Sequence, residues 1–232
     1  MSESRRPQAA TTEWDMVSRL LSRVRMPTLW YADLSLAMPI GQATLPVEVA
    51  GSHQTEAMTM ALDLPLDPSL VQALEDRSWT GSSLEVDLAD RDPARALDPS
   101  LKELGAPRSF GLLRLDCHGE DYALLAGMMA HDPGMVLCGF NASIPFDIDF
   151  VQNQGAGIGC SLKSLVALTG LKGYMLIDAI PGRACFMRKG LADMAGLDNK
   201  PLQRIRDDHD LERLALDLNG NPIRLATGRL VG

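Results

Sequence analysis

Between residues 109 and 151 four short apolar runs follow one another, SFGLLRLDC, YALLAGMMA, MVLCGF and IPFDIDFV, separated by polar or glycine- and proline-bearing breaks. Runs of this length suit strands, and polar breaks of a few residues suit hairpins. The pattern predicts strands at 109–117, 122–130, 135–140 and 144–151, the first two forming a hairpin across HGED, with a turn at Asp132-Pro133-Gly134. No run approaches the ~20 apolar residues of a membrane-spanning helix.

The flanking segments mix helix and strand signals. Thr12 and Asp15 form the pattern of a capping box, and Trp14, Val17, Leu20, Leu21 and Val24 recur at helical spacing, predicting a helix over 13–25 closed by Pro27. Strands are expected at 29–35, at 41–49, where Pro46 favours a sheet edge, and at 83–88. Asp67-Pro68 marks a helix start, as do Asp92-Pro93 and Asp98-Pro99, the last opening a short helix through Leu101 and Leu104 that stops at Gly105. A helix is predicted at 160–169, strands at 173–179 and 183–187, and a hairpin across Asn219-Gly220-Asn221. The expected fold class is α+β, mainly antiparallel hairpins covered by several short helices. Its organisation reads as a flexible tail (1–12), an N-terminal lobe (13–88), a proline-punctuated connection (89–108) and a C-terminal lobe (109–232), with the two lobes also compatible with a single domain.

Composition narrows the function classes. A net charge of −8 and no basic cluster argue against a nucleic-acid or anionic-membrane binder. Cys117, Cys138, Cys160 and Cys185 show no CxxC or CxxH spacing, so the chain reads as carrying buried reduced thiols rather than a zinc site. The opening MSESRRPQAATT lacks the apolar core of a signal peptide, which points to the cytoplasm. Abundant alanine, leucine and glycine, with no lysine before Lys102, point to a GC-rich bacterial or phage source.

Chemistry-bearing residues concentrate in 138–163. Asp147 and Asp149 alternate with Phe146, Ile148 and Phe150, placing both carboxylates on one face of an expected strand. With Asp178 as a third ligand they would hold Mg²⁺. Gly155, Gly157, Gly159 and Ser161 precede a helix and would offer amides to a phosphate. Cys160 at that helix start is a conceivable nucleophile, but no histidine is tied to it by sequence. The densest run of potential ligands, Asp116, Cys117, His118, Glu120 and Asp121, coincides with the expected hairpin turn and reads first as turn chemistry.

No complete catalytic set results. The leading expectation is a non-catalytic protein working through contacts with a protein partner or by self-association, as a subunit or regulator of an assembly. The methionine-rich composition and potential edge strands favour it. The alternatives are a Mg²⁺-dependent nucleotidyl- or phosphoryl-transfer enzyme using Asp147 and Asp149, and a small-molecule sensor domain.

Overall fold

The capping box forms as its spacing predicts: the Thr12 amide donates to Asp15 Oδ2 and the Asp15 amide to Thr12 Oγ1. It starts helix α1, Glu13–Leu21, whose Met16, Val17 and Leu20 are buried. The computed structural model describes residues 12–26, 30–35, 58–62, 81–85, 92–117, 119–202, 213–216, 222–226 and 229–231. The strand expected at 41–49, the Asp67-Pro68 helix start, the tail before residue 12 and the turn at 219–221 lie outside the described residues.

After α1 come β1 (Tyr31–Ser35), β2 (Met58–Leu62), β3 (Gly81–Glu85), a 3-10 turn (Pro93–Arg95) and α2 (Leu97–Glu103). The chain then forms β4 (Leu112–Asp116), α3 (Asp121–Gly127), β5 (Met135–Gly139), α4 (Leu162–Leu171), β6 (Tyr174–Ile180), β7 (Arg183–Arg188) and α5 (Lys189–Met194). Strands β8 (Arg213–Leu216), β9 (Pro222–Ala226) and β10 (Arg229–Val231) form a separate antiparallel sheet.

The main sheet has seven strands in the order β3-β2-β1-β4-β5-β7-β6. The pairs β3–β2, β2–β1, β1–β4 and β4–β5 are parallel; β7 is antiparallel to both neighbours. The coarse expectation of an α+β chain therefore holds, as one mixed sheet with several helices. The expectation of mainly antiparallel hairpins does not hold for this sheet. The decisive difference is residues 122–130, expected as a strand, where the structure has helix α3. A short apolar run bounded by breaks suits a buried helix as well as a strand. With a helix there, the supposed hairpin becomes a strand–helix–strand unit, which is what parallel pairing of β4 and β5 requires. Strands from both sides of 89–108 share this sheet, and that connection is packed into it through Ala96, Leu97, Leu101 and Leu104.

The sheet is covered on both faces. One apolar cluster joins Leu97 and Leu101 of α2, Leu124 and Leu125 of α3, and Leu162 and Leu165 of α4 to Leu113, Leu115 and Val136 of the sheet. The other joins Met16, Val17 and Leu20 of α1 and Ala192 of α5 to Tyr31, Leu112, Met135 and Leu137. Every residue of β5 is buried, as a parallel strand covered on both faces should be. Among the described residues no helix is long and apolar enough to cross a membrane.

Candidate functional site

In a doubly wound sheet, ligands bind in the crevice outside the carboxyl ends of the parallel strands, near the point where the strand order reverses. Here the order reverses between β1 and β4. Beside that point, at the carboxyl ends of β4 and β5, lies a cleft of about 350 Å³ lined by Asp116, Gly119, Asp121, Gly139, Phe140, Asn141, Arg183 and the Gly157–Gly159 segment.

Asp121, the first residue of α3, is 3% exposed. Its Oδ2 accepts from the amides of Cys117 (3.2 Å) and Gly119 (3.3 Å), and its Oδ1 from the amide of Gly139 (3.1 Å). One carboxylate thus ties the end of β4 to the end of β5 and satisfies amides left over where the strands stop. Gly139 permits this approach, since a Cβ there would stand 2.9 Å from Asp121 Oδ1 and 3.0 Å from Arg183 Nη1.

Behind the cleft is a buried ion network on the α1 side of the sheet. Asp33 of β1 and Arg114 of β4 are register partners and both nearly sealed from solvent. Arg114 contacts Asp33 at 3.4 Å, Glu13 at 3.1 Å and Asp116 at 3.0 Å. Arg183 contacts Glu13 at 3.0 Å and also Asp116, and the Tyr31 hydroxyl donates to Asp33. Burial alone would lower the pKa of Arg114, but Asp33, with help from Glu13 and Asp116, more than reverses this and holds it above the ordinary arginine range. Asp116 and Glu13 do the same for Arg183 against its own burial. Removing the Arg114 guanidinium would take a charge partner from the sealed Asp33 carboxylate, a kind of change that typically costs about 3–5 kcal/mol.

The glycine-rich segment folds over the cleft. Its backbone is held by a Val151–Cys160 bridge and by Gln152, whose Oε1 accepts from the amides of Ile158 and Gly159 while its Nε2 donates to Glu120. Asn141 Nδ2 donates to the Ile158 carbonyl at 2.8 Å, tying the end of β5 to this flap.

The residues singled out in the sequence are distributed differently from the expected pattern. Residues 144–151 form turns rather than a strand, with Ile148 bonded back to Pro145, and Asp147 and Asp149 are both exposed. Asp149 accepts from Ser164, while Lys163 donates to the Asp147 carbonyl. Asp178 stands on β6, paired with Arg19 at 3.0 Å and Lys200 at 2.9 Å. These three carboxylates are not brought together, and among the described residues no group of three or more His, Cys, Asp or Glu side chains is placed to hold a metal ion.

Of the proposed phosphate ligands, the Gly155 amide donates to Glu120, the Gly159 amide to Gln152 and the Ser161 amide to Phe150. The Ser161 hydroxyl instead caps α4 by accepting from Ser164. Cys160 is buried, and burial first, then Asp121, pushes its thiol up to about 12.

Asp116 and Asp121, weighed in the sequence mainly as turn residues, line the cleft; His118 lies outside the described residues. Sequence reasoning missed Asn141 and Arg183. Nothing local marks Arg183, whose partner Glu13 is far away in the chain.

Compared with known proteins, the chain matches no family model and no curated sequence.

Proposed function

We infer that this protein binds a small organic molecule of nucleoside size at the carboxyl edge of its main sheet. The observation that carries the reading is the convergence of Asp116, Asp121, Asn141 and Arg183 on one cleft beside the strand-order reversal. The strand order 3-2-1-4-5 is shared with sheets that bind nucleotide cofactors there. Two features favour a nucleoside over a dinucleotide. No G-x-G-x-x-G run follows β1 in the sequence to receive a pyrophosphate. The cleft, at about 350 Å³, is also near the lower end of small-molecule sites.

The test is thermal unfolding of the full chain with adenosine, S-adenosylmethionine, ATP and NAD. The phosphate-free nucleosides should raise Tm, by mass action on the native state, and ATP and NAD should raise it less. No shift with any of the four counts against the reading.

Self-association is a second reading, favoured by a specific observation. Met129 and Leu171 are large apolar side chains that are 81% and 90% exposed, and Lys172, the residue after Leu171, reaches Met129 Sδ at 3.9 Å. A cytoplasmic setting fits both readings.

A further inference from the structure

The floor and one wall of the cleft are fastened by different means. The floor is sheet: β5 is buried throughout, and the carboxylate that ties its end to β4 is 3% exposed. The wall is the flap, whose residues 153–158 are exposed and whose apolar side chains Val151 and Ile158 keep 40% and 47% of their surface in solvent. Its base is pinned by backbone: the Gln152 amide donates to the Gly159 carbonyl at 3.0 Å and the Ser161 amide to the Phe150 carbonyl at 2.9 Å. Gln152 Oε1 stiffens it from within by accepting from Ile158 and Gly159. Its tip is fastened to α3 by a single oxygen, Glu120 Oε1, which accepts from the Gly155 amide and from Gln152 Nε2, each at 2.8 Å. Bonds of this kind are exchanged for bonds to water on release, so their net worth is modest and such a segment opens well before the sheet does. Gly155 and Gly157 take φ values of 74° and 66° where a Cβ would meet open space, so glycine there serves backbone conformation rather than close packing.

We propose that residues 152–159 are a gate over the cleft, hinged at the Val151–Cys160 bridge and latched by Glu120, which swings off to admit and release the ligand and closes over it in between. As a gate for a ligand, it rests on the small-molecule reading above; as a segment that opens, it stands on the fastening alone. The first two residues of α3 divide the work: Asp121 fixes the floor, and Glu120 holds the part that moves. A ligand whose entry waits for a minor open population binds at a rate reduced by that fraction, so weakening the latch speeds entry and exit together.

Amide hydrogen exchange of the full chain tests the opening without any ligand. The Ile158 and Gly159 amides, whose own acceptor is Gln152, should exchange at least about a hundredfold faster than that of Leu137 in β5. In Glu120→Ala they should speed up a further tenfold or so with Leu137 unchanged, while Glu120→Gln, which keeps an accepting oxygen, should stay within about threefold of the wild type. Flap amides as slow as Leu137, or unmoved by Glu120→Ala, overturn the gate. Surface plasmon resonance with adenosine then tests what the opening is for. Glu120→Ala should raise the association and dissociation rates together, each by about tenfold, and leave Kd within about twofold. Faster dissociation alone would make the flap a fixed wall that merely supports the ligand, and unchanged rates would detach it from binding; either result overturns the gate and leaves the small-molecule reading standing. Adenosine binding to none of the three proteins overturns that reading, and the exchange rates still decide whether the flap opens.

Discussion

Asp121 does at residue scale what a longer connection does in other sheets: it closes the gap between two strand ends with one side chain. Its charge also bears on the thiols around it. Cys117, Cys138, Cys160 and Cys185 are all buried and free. Burial raises each thiol pKa, and Asp121 adds to the rise for the first three. With Cys160 pushed up to about 12, its thiolate fraction at pH 8 is roughly one part in ten thousand. A thiol-reactive dye at pH 8 should therefore label the native protein at least about a hundredfold more slowly than the guanidinium-unfolded chain. Fast labelling of any cysteine in the native state would refute this. Buried thiols were legible in the sequence, because cysteine spacing is a local fact. The relation of three of them to Asp121 was not, because it depends on β4, α3 and β5 meeting in space. The strand expected at 144–151 did not form for a local reason: alternation suited a strand, but Pro145 and the Asn141 turn, where Asn141 Oδ1 accepts from the Ser143 amide, break the backbone first.

At the scale of elements, several local patterns were legible in the sequence. The capping box of α1, strand β1 within 29–35, helix α4 near 160–169 and the β6 and β7 segments all appear where their patterns placed them. Asp92 caps its 3-10 turn, with its side chain accepting from Ala94 at 3.1 Å. Asp98 does something else. It lies in the first turn of α2, yet its carboxylate reaches across to the segment after α3. It accepts from the amides of Met129 at 2.6 Å, Ala130 at 2.8 Å and His131 at 3.2 Å, and meets the His131 ring at 2.7 Å. Burial alone would raise its pKa, but the His131 side chain and the Met129 and Ala130 amides outweigh it and lower the pKa below the usual 3.8. A folded-state pKa below the unfolded one gives stability that is full above the unfolded value and lost as pH falls through the folded value. Wild-type stability should therefore drop as pH falls below about 4, and Asp98→Asn should be less stable at pH 7 with a shallower acid loss. Urea melts at pH 7, 4 and 3 measure both; parallel pH curves for the two proteins would refute it.

At the scale of the whole molecule, the sheet order was the least legible property. Pairing of β1 with β4 joins residues about eighty positions apart, and nothing in either run names its partner. Reading α3 as a strand made hairpins the economical arrangement, and the cleft disappeared with the parallel sheet that creates it. Association also belongs at this scale. On the second functional reading, light scattering of the full chain should give a mass well above 25.1 kDa, and Leu171→Glu should return it to the monomer. A monomer at high concentration, with or without the substitution, would rule that reading out. The antiparallel direction of β7 has a separate consequence. Because it runs against β5, its first residue, Arg183, is delivered to the carboxyl rim by the two-residue Pro181-Gly182 turn, without any crossover. The Gly182 carbonyl accepts from the Phe140 amide at 3.1 Å, so the turn is tied to the end of β5 on that side, and the place to rebuild the cleft wall is at Pro181. On the small-molecule reading, residues inserted there would hang over the cleft mouth while β6 and β7 keep their register, so specificity could be changed at a single point in the chain.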